Sequence, residues 1–241
     1  SERVLEEGGY EGETSMIYYQ KPSKWRKGLE KQILDTVVAL TADNRTQAAR
    51  PTQLPGDLVF DGKTLAGWHK NPEKIGHGTG GRWTVENGVI SGEQDPPGSG
   101  NGGILLTNRK FSDFELLIDM KPDWGVCSGL FVRSNDRGQC FQMMVDYHDN
   151  GNVGHIYGEG TGGFNTRTFD IFGKYNDKKE LLALTTKPTK VAPPKAFTIS
   201  GNDWVSAWNV GDWNTARLRV VGSPPQITTW INGRKVNEFN G

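Results

Sequence analysis

The chain is 241 residues long, with 28 basic and 28 acidic side chains and a formal net charge of zero. That balance, with no block of like charge, excludes a nucleic-acid interface built on a basic patch, and no apolar run approaches the ~20 residues of a membrane helix. Thirty-two glycines, twelve prolines and eight tryptophans suit many short strands joined by tight turns, so the reading starts from a large all-β domain.

In chain order, Ser1-Glu2-Arg3 opens without the apolar core of a signal peptide, so an exported protein would be present here in its processed form. Residues 1–22 read as irregular. A helix is predicted next: Ser23 can cap it, and Trp25, Leu29, Ile33, Val37 and Leu40 recur at helical spacing. Lys24, Lys27, Glu30, Lys31 and Asp35 give it a polar side carrying both signs of charge, which suits packing on the β domain or on a partner subunit. Asp43-Asn44 ends the helix, and Arg50–Gly56 reads as a linker. Residues 1–56 are thus an N-terminal extension with one amphipathic helix, and 57–241 a β-sandwich domain.

Strands are predicted at 58–60, 82–85, 88–92, 103–107, 113–121, 128–134, 139–147, 153–158, 197–200, 215–221 and 226–231. Turn signals such as Asn87-Gly88, Asp136-Arg137-Gly138, Asp149-Asn150-Gly151 and Asn232-Gly233 separate them. Segments 93–102 and 158–196 read as long connections, the usual carriers of a binding surface on a rigid sandwich.

The strand through Cys140–His148 has a clear parity. Gln142, Met144, Asp146 and His148 fall on one face, and Phe141, Met143, Val145 and Tyr147 on the other, apolar face. If the polar members of neighbouring strands share the first face, Arg133, Gln142, Asp146, His148, His155 and Tyr157 converge on one patch. Such a patch could bind hydroxyls and move protons near neutral pH; the bland alternative is the polar face of a half-exposed strand.

Asp146, His148 and His155 would also make a two-histidine, one-carboxylate set for a divalent metal, with Glu159 close behind; calcium in the turn 146–152 is the second option. Trp124, Trp204 and Trp208, outside the strand motifs, are the candidates for stacking on sugar faces. Gly76–Gly81 lacks the Lys-Ser/Thr ending of a phosphate loop. Cys127 and Cys140 could form one disulfide or remain two buried thiols.

Several segments carry a resemblance when taken in order. They are Leu58–Trp68 (LVFDGKTLAGW), Trp83–Ile90 (WTVENGVI), Asp113–Leu116 (DFEL), Ser128–Arg133 (SGLFVR) and Gly211–Thr215 (GDWNT). The sequence resembles the 3-keto-disaccharide hydrolase domain family over roughly 57–241. That resemblance implies a concanavalin-like jelly-roll β-sandwich, a sugar or glycan ligand, and a periplasmic or extracellular bacterial setting. It also implies cleavage of 3-keto glycosides by removal of the C2 proton, elimination and hydration.

Family positions correspond to Arg133, Gln142 and Asp146, and Gly154-His155-Ile156-Tyr157 matches a family strand. The implied roles are Asp146 or His148 as base, His155 or Tyr157 as acid, and Arg133 or a metal as electrophile. Family members usually continue past the position of Gly241 with strands that include a Leu-Gln-x-His segment. The domain as given is therefore expected to lack its last strands, or to borrow one at a partner's edge. A non-catalytic glycan-binding module, or a structural subunit that keeps the fold, are the alternatives.

Overall fold

In the computed structural model, residues 59–73, 78–190 and 197–241 are described in full, together with the backbone of three strands at 3–5, 14–19 and 23–26. The elements, in chain order, are β1 (Arg3–Leu5), β2 (Thr14–Tyr19), β3 (Ser23–Arg26), β4 (Trp68–Lys70), β5 (Arg82–Glu86), β6 (Val89–Glu93), β7 (Ile104–Thr107) and β8 (Asp113–Pro122). β9 (Ser128–Ser134), β10 (Cys140–Val145), β11 (Val153–Glu159), β12 (Phe169–Tyr175) and β13 (Leu181–Pro188) follow. A short helix α1 (Gly201–Ala207) and strands β14 (Asn214–Val221), β15 (Gln226–Ile231) and β16 (Arg234–Asn240) complete the described chain.

Two antiparallel sheets make the sandwich. One has the order β16-β15-β14-β8-β3-β6-β5, with β1 also on β8; the other has the order β11-β10-β9-β2-β7-β4. A separate hairpin pairs β12 with β13. The sheets meet over a core that includes Phe114, Met120, Ala216, Leu218 and Val220 from the first and Leu130, Val132, Met143, Val145 and Ile156 from the second.

β14 shows why these segments are strands. Ala216, Leu218 and Val220 are fully buried while Thr215, Arg217 and Arg219 alternate outward, the period of two that one buried sheet face demands. β9 and β10 depart from that rule. Every residue of β9 is buried, and of β10 only Phe141 is partly exposed. Their second face holds Phe131 and Cys140, clustered with Ile104 and Leu106 of β7, together with Gln142. The covered second face of this sheet therefore includes polar side chains as well as apolar ones.

Several sequence expectations are corrected here. Ser23–Arg26 is a strand, not the first turn of a helix: β8 and β6 pair with it on either side and satisfy the backbone groups a helix would satisfy internally. The rest of the predicted helix lies outside the described residues. Within the segment read as irregular, 3–5 and 14–19 are strands, and the long connection 158–196 contains the β12–β13 hairpin. Residues 68–70 and 234–240 are strands that the pattern missed.

The predicted strand 197–200 is reduced to a bridge between Thr198 and Asn237, and residues 59 and 60 form no strand. The helix after it went unread, though its signals are ordinary. Ser200 caps it by accepting from the Asp203 backbone N–H at 3.2 Å, and Trp204 and Trp208 sit one turn apart.

Candidate functional site

The β9–β10 register fixes the geometry. Phe141 faces Val132 and Met144 faces Gly129; continuing the ladder through the Val126–Tyr147 bridge sets Cys127 opposite Asp146. The same register sets Cys140 opposite Arg133, about 20 Å further along the strands at ~3.3 Å per residue. The two cysteines are therefore at opposite ends of the pair, and both are free thiols.

Asp146 follows the last residue of β10 and is 9 % exposed. Its Oδ1 accepts from the Cys127 thiol at 2.9 Å. Burial raises its carboxyl above the ordinary carboxylate range, opposed by the Cys127 hydrogen bond, by the charges of His148 and Arg167, and by the Ser128 backbone N–H. The thiol of Cys127 is pushed up, first by burial and then by the Asp146 charge. Cys127, Asp146 and His148 bring one donor atom each to within 4.8 Å of one another.

The turn after Asp146 is closed on itself. Asp146 N–H donates to Asn152 O at 3.0 Å, and Gly151 N–H to His148 O at 2.9 Å. A Cβ on Gly151 would overlap the Asp146 carbonyl oxygen, so only glycine lets the chain double back there. His148 Nδ1 lies 2.8 Å from the Asp149 carbonyl oxygen. A carbonyl only accepts, so this nitrogen carries a proton, and in the neutral ring Nε2 is the one with the free lone pair.

The hairpin is bound to this turn from outside. Asp149 accepts from the Gly173 N–H at 2.8 Å and from the Tyr175 hydroxyl at 3.3 Å, and Trp124 Nε1 donates to the same hydroxyl at 2.7 Å. Asn150 N–H reaches Ile171 O at 3.0 Å. Arg167, just before the hairpin, spans the Asn150 carbonyl at 3.2 Å and Asp170 at 3.0 Å. Its charge is felt by both Asp146 and His155.

The structure therefore brings Asp146 and His148 together and adds Cys127 and Arg167, which the sequence reading left out. Gln142 and Tyr157 lie directly opposite each other across β10 and β11, further along the face that Asp146 ends. Gln142 Nε2 donates to Ser128 O at 3.3 Å and its side chain lies over Gly129, where a Cβ would displace it. Tyr157 is half-buried beneath the turn at Gly163.

Arg133 is placed elsewhere. It sits at the far end of β9 with φ +55°, which ends the strand's parity, and its guanidinium donates to Asp113 at 2.8 Å and to Gly222 O at 3.1 Å. It ties the two sheets together. His155 also leaves the predicted patch. The positive φ of Gly154 breaks the alternation, and the imidazole is fully buried edge-on to Phe169, with Nε2 3.2 Å from Thr198 Oγ1. Burial, with the Arg167 charge, pulls its pKa down to about 3, so it is a neutral core histidine. In the donor cluster Cys127 stands where His155 was expected.

Of the tryptophans, Trp204 and Trp208 stack on each other in the core, 0 % and 6 % exposed, and Trp204 Nε1 donates to Val153 O at 2.9 Å. Neither offers a face to a ligand. Trp124 is partly exposed at the rim, packed edge-on to Tyr147. Cys127 could have been found from the Asp136-Arg137-Gly138 turn, which sets the register of β9 on β10. No sequence signal pointed to Arg167.

Two comparisons bear on this site. The family model described as the 3-keto-alpha-glucoside-1,2-lyase-like domain matches residues 57–241, a span that contains every side chain of the cluster. A protein of Bacteroides thetaiotaomicron named 3-keto-disaccharide hydrolase is 37 % identical over 95 residues, which cover 35 % of this chain and 31 % of that protein. The match spans about a third of that relative's length.

Proposed function

The chain belongs to the 3-keto-alpha-glucoside-1,2-lyase-like domain family, and on that premise we propose that it cleaves glycosides whose C3 hydroxyl has been oxidised to a ketone. The ketone acidifies the neighbouring C2–H bond. A base takes that proton, and the electron pair forms an enolate across C2 and C3. When the ketone re-forms, the pair moves into a C1–C2 double bond, the C1–O bond breaks, and the departing oxygen takes a proton. Water then adds across the double bond, its oxygen at C1 and its hydrogen at C2, for net hydrolysis.

Such a reaction needs proton transfer at C2 and at the leaving oxygen, and stabilisation of the enolate oxygen. The observation that carries the reading is the buried Asp146 carboxyl beside Cys127 and His148, with the Arg167 charge acting on it. In this reading the ketone end of the sugar meets that cluster. Tyr157 binds a hydroxyl further along the same face, with the buried Gln142 holding Ser128 O across the strands, and Trp124 stacks at the rim. A lectin reading is weaker, because Trp204 and Trp208 are core residues. The concanavalin-like winding of the strands and a periplasmic or extracellular setting are part of the same proposal. Among the described residues no helix is long and apolar enough to cross a membrane.

The test is product analysis by NMR, in deuterated buffer, of 3-keto-trehalose and a 3-keto-β-glucoside. Turnover with deuterium delivered to C2 above an enzyme-free control is the expected result, and Asp146→Asn should lower kcat/KM on the order of 10³-fold. Turnover that leaves the C2 proton in place would sink the elimination route, and no turnover of either compound would sink the substrate class.

A further inference from the structure

Cys127, Asp146 and His148 hold more than a proton-transfer arrangement. Their donor atoms lie within 4.8 Å of one another, contributed by the approach to β9, the end of β10 and the turn that follows. We propose that these three side chains are the protein ligands of a divalent transition metal of the zinc and cobalt class, with a coordination position left open toward the substrate. The assignment deepens the 3-keto-glycoside reading by naming the electrophile its enolate requires.

Three observations support it. The donor set itself is a thiol that would bind a metal as thiolate, a carboxylate and an imidazole. That mixture suits borderline metals better than calcium or magnesium, which take oxygen ligands. Three protein ligands with a free fourth position is the composition of a catalytic rather than a structural zinc site.

The second observation is the histidine's tautomer. His148 Nδ1 donates its N–H to the Asp149 carbonyl at 2.8 Å, so that in the neutral ring Nε2 is the atom free to bind a metal. A metal-bound histidine is ordinarily held in just this way, its other ring N–H spent on a carbonyl or carboxylate. Asp149 is itself fixed by Gly173 and Tyr175, so the turn is braced before any ligand arrives.

The third is the contact between Cys127 Sγ and Asp146 Oδ1 at 2.9 Å. Two groups that ionise to anions share one proton there, Asp146 buried and Cys127 partly buried. A divalent ion replaces that proton: the thiol releases H⁺, a metal–sulfur bond forms, and two buried anions gain a cation between them. Arg167, whose charge acts on Asp146, is already engaged by Asp170 and the Asn150 carbonyl. The open position would then polarise the C3 ketone oxygen of a bound substrate as a Lewis acid.

Cobalt(II) titration of chelator-treated protein tests this directly. A near-ultraviolet thiolate-to-cobalt charge-transfer band should rise and saturate at one equivalent, and one equivalent of zinc should abolish it. Cys127→Ser should lose the band with an unchanged circular dichroism spectrum, while Cys140→Ser, at the other end of the strands, should keep it. His148→Gln should weaken cobalt binding at least tenfold.

A band absent from the wild type, or retained in Cys127→Ser, would overturn the metal site. Turnover of 3-keto-glycosides in chelated protein, with no cobalt band, would overturn the metal and leave the functional reading standing. A cobalt band without turnover of these substrates would do the reverse.

Discussion

Asp146 and Arg133 are both charged residues next to or on central strands, and both are less than a tenth exposed. They differ in what their neighbours leave them free to do. Arg133 spends its guanidinium on Asp113 and the Gly222 carbonyl, contacts that join one sheet to the other. Asp146 is held by a thiol and a backbone N–H, with the His148 ring close by and the Arg167 charge acting on it. The first arrangement serves stability; the second suits the proton transfer proposed above. Arg133→Gln is therefore expected to cost about 2 kcal/mol in urea unfolding, less than a fully buried pair because Asp113 is partly exposed. Its kcat on a 3-keto-glycoside should stay within about twofold of wild type. A loss of turnover without a loss of stability would return Arg133 to the site.

At the scale of elements, the turn 146–152 is the part on which the site depends. It is closed by its own backbone bonds, by Gly151 pressed against the Asp146 carbonyl, and by the β12–β13 hairpin fastened through Asp149, Asn150 and Tyr175. Gly151→Ala puts a methyl where that carbonyl oxygen lies, so the turn must shift. The expected result is about 1–3 kcal/mol of lost stability together with at least a tenfold fall in kcat/KM, since the displaced groups are the ones proposed to act on the substrate. Unfolding and turnover measured on the same preparation check this; a variant with wild-type turnover would show that the turn tolerates movement. The hairpin's part was not readable in advance. Phe169, Ile171 and Leu184 are its buried apolar anchors, too few among lysines and threonines to show a strand period.

For the whole molecule, the fully buried His155 makes stability depend on pH. Its folded pKa is lowered to about 3, against ~6.5 in an unfolded chain. Above about pH 6.5 neither state binds the proton, and the contribution is fully present. As pH falls toward 3 only the unfolded chain takes it up, so stability declines, by at most ~1.4 kcal/mol per pH unit. Urea midpoints at pH 7.5 and pH 5 should therefore differ more in wild type than in His155→Gln. Comparing the two proteins cancels the opposite contribution of Asp146, whose raised pKa favours folding at lower pH. Equal pH dependence in both would mean that His155 is not held neutral. On the same scale, β2 and β3 lie inside the two sheets, although the family match begins only at residue 57.

The sequence by itself determined the class of fold, because alternating side chains at Ala216, Leu218 and Val220 and turns such as Asn232-Gly233 are local properties of the chain. It also determined the family, through short motifs in fixed order, and it put Asp146 and His148 on one side of β10 by parity. What only the tertiary structure decided is which side chains meet. Parity ends at a residue of positive φ, as at Arg133 and Gly154, and no local rule says where that will happen. Nor does local pattern say that Cys127, 19 positions from Asp146, bonds it, or that the charge of Arg167, 21 positions away, acts on it. Register and the packing of a hairpin on a turn are long-range facts, fixed by burial that accrues only once the sheets have come together.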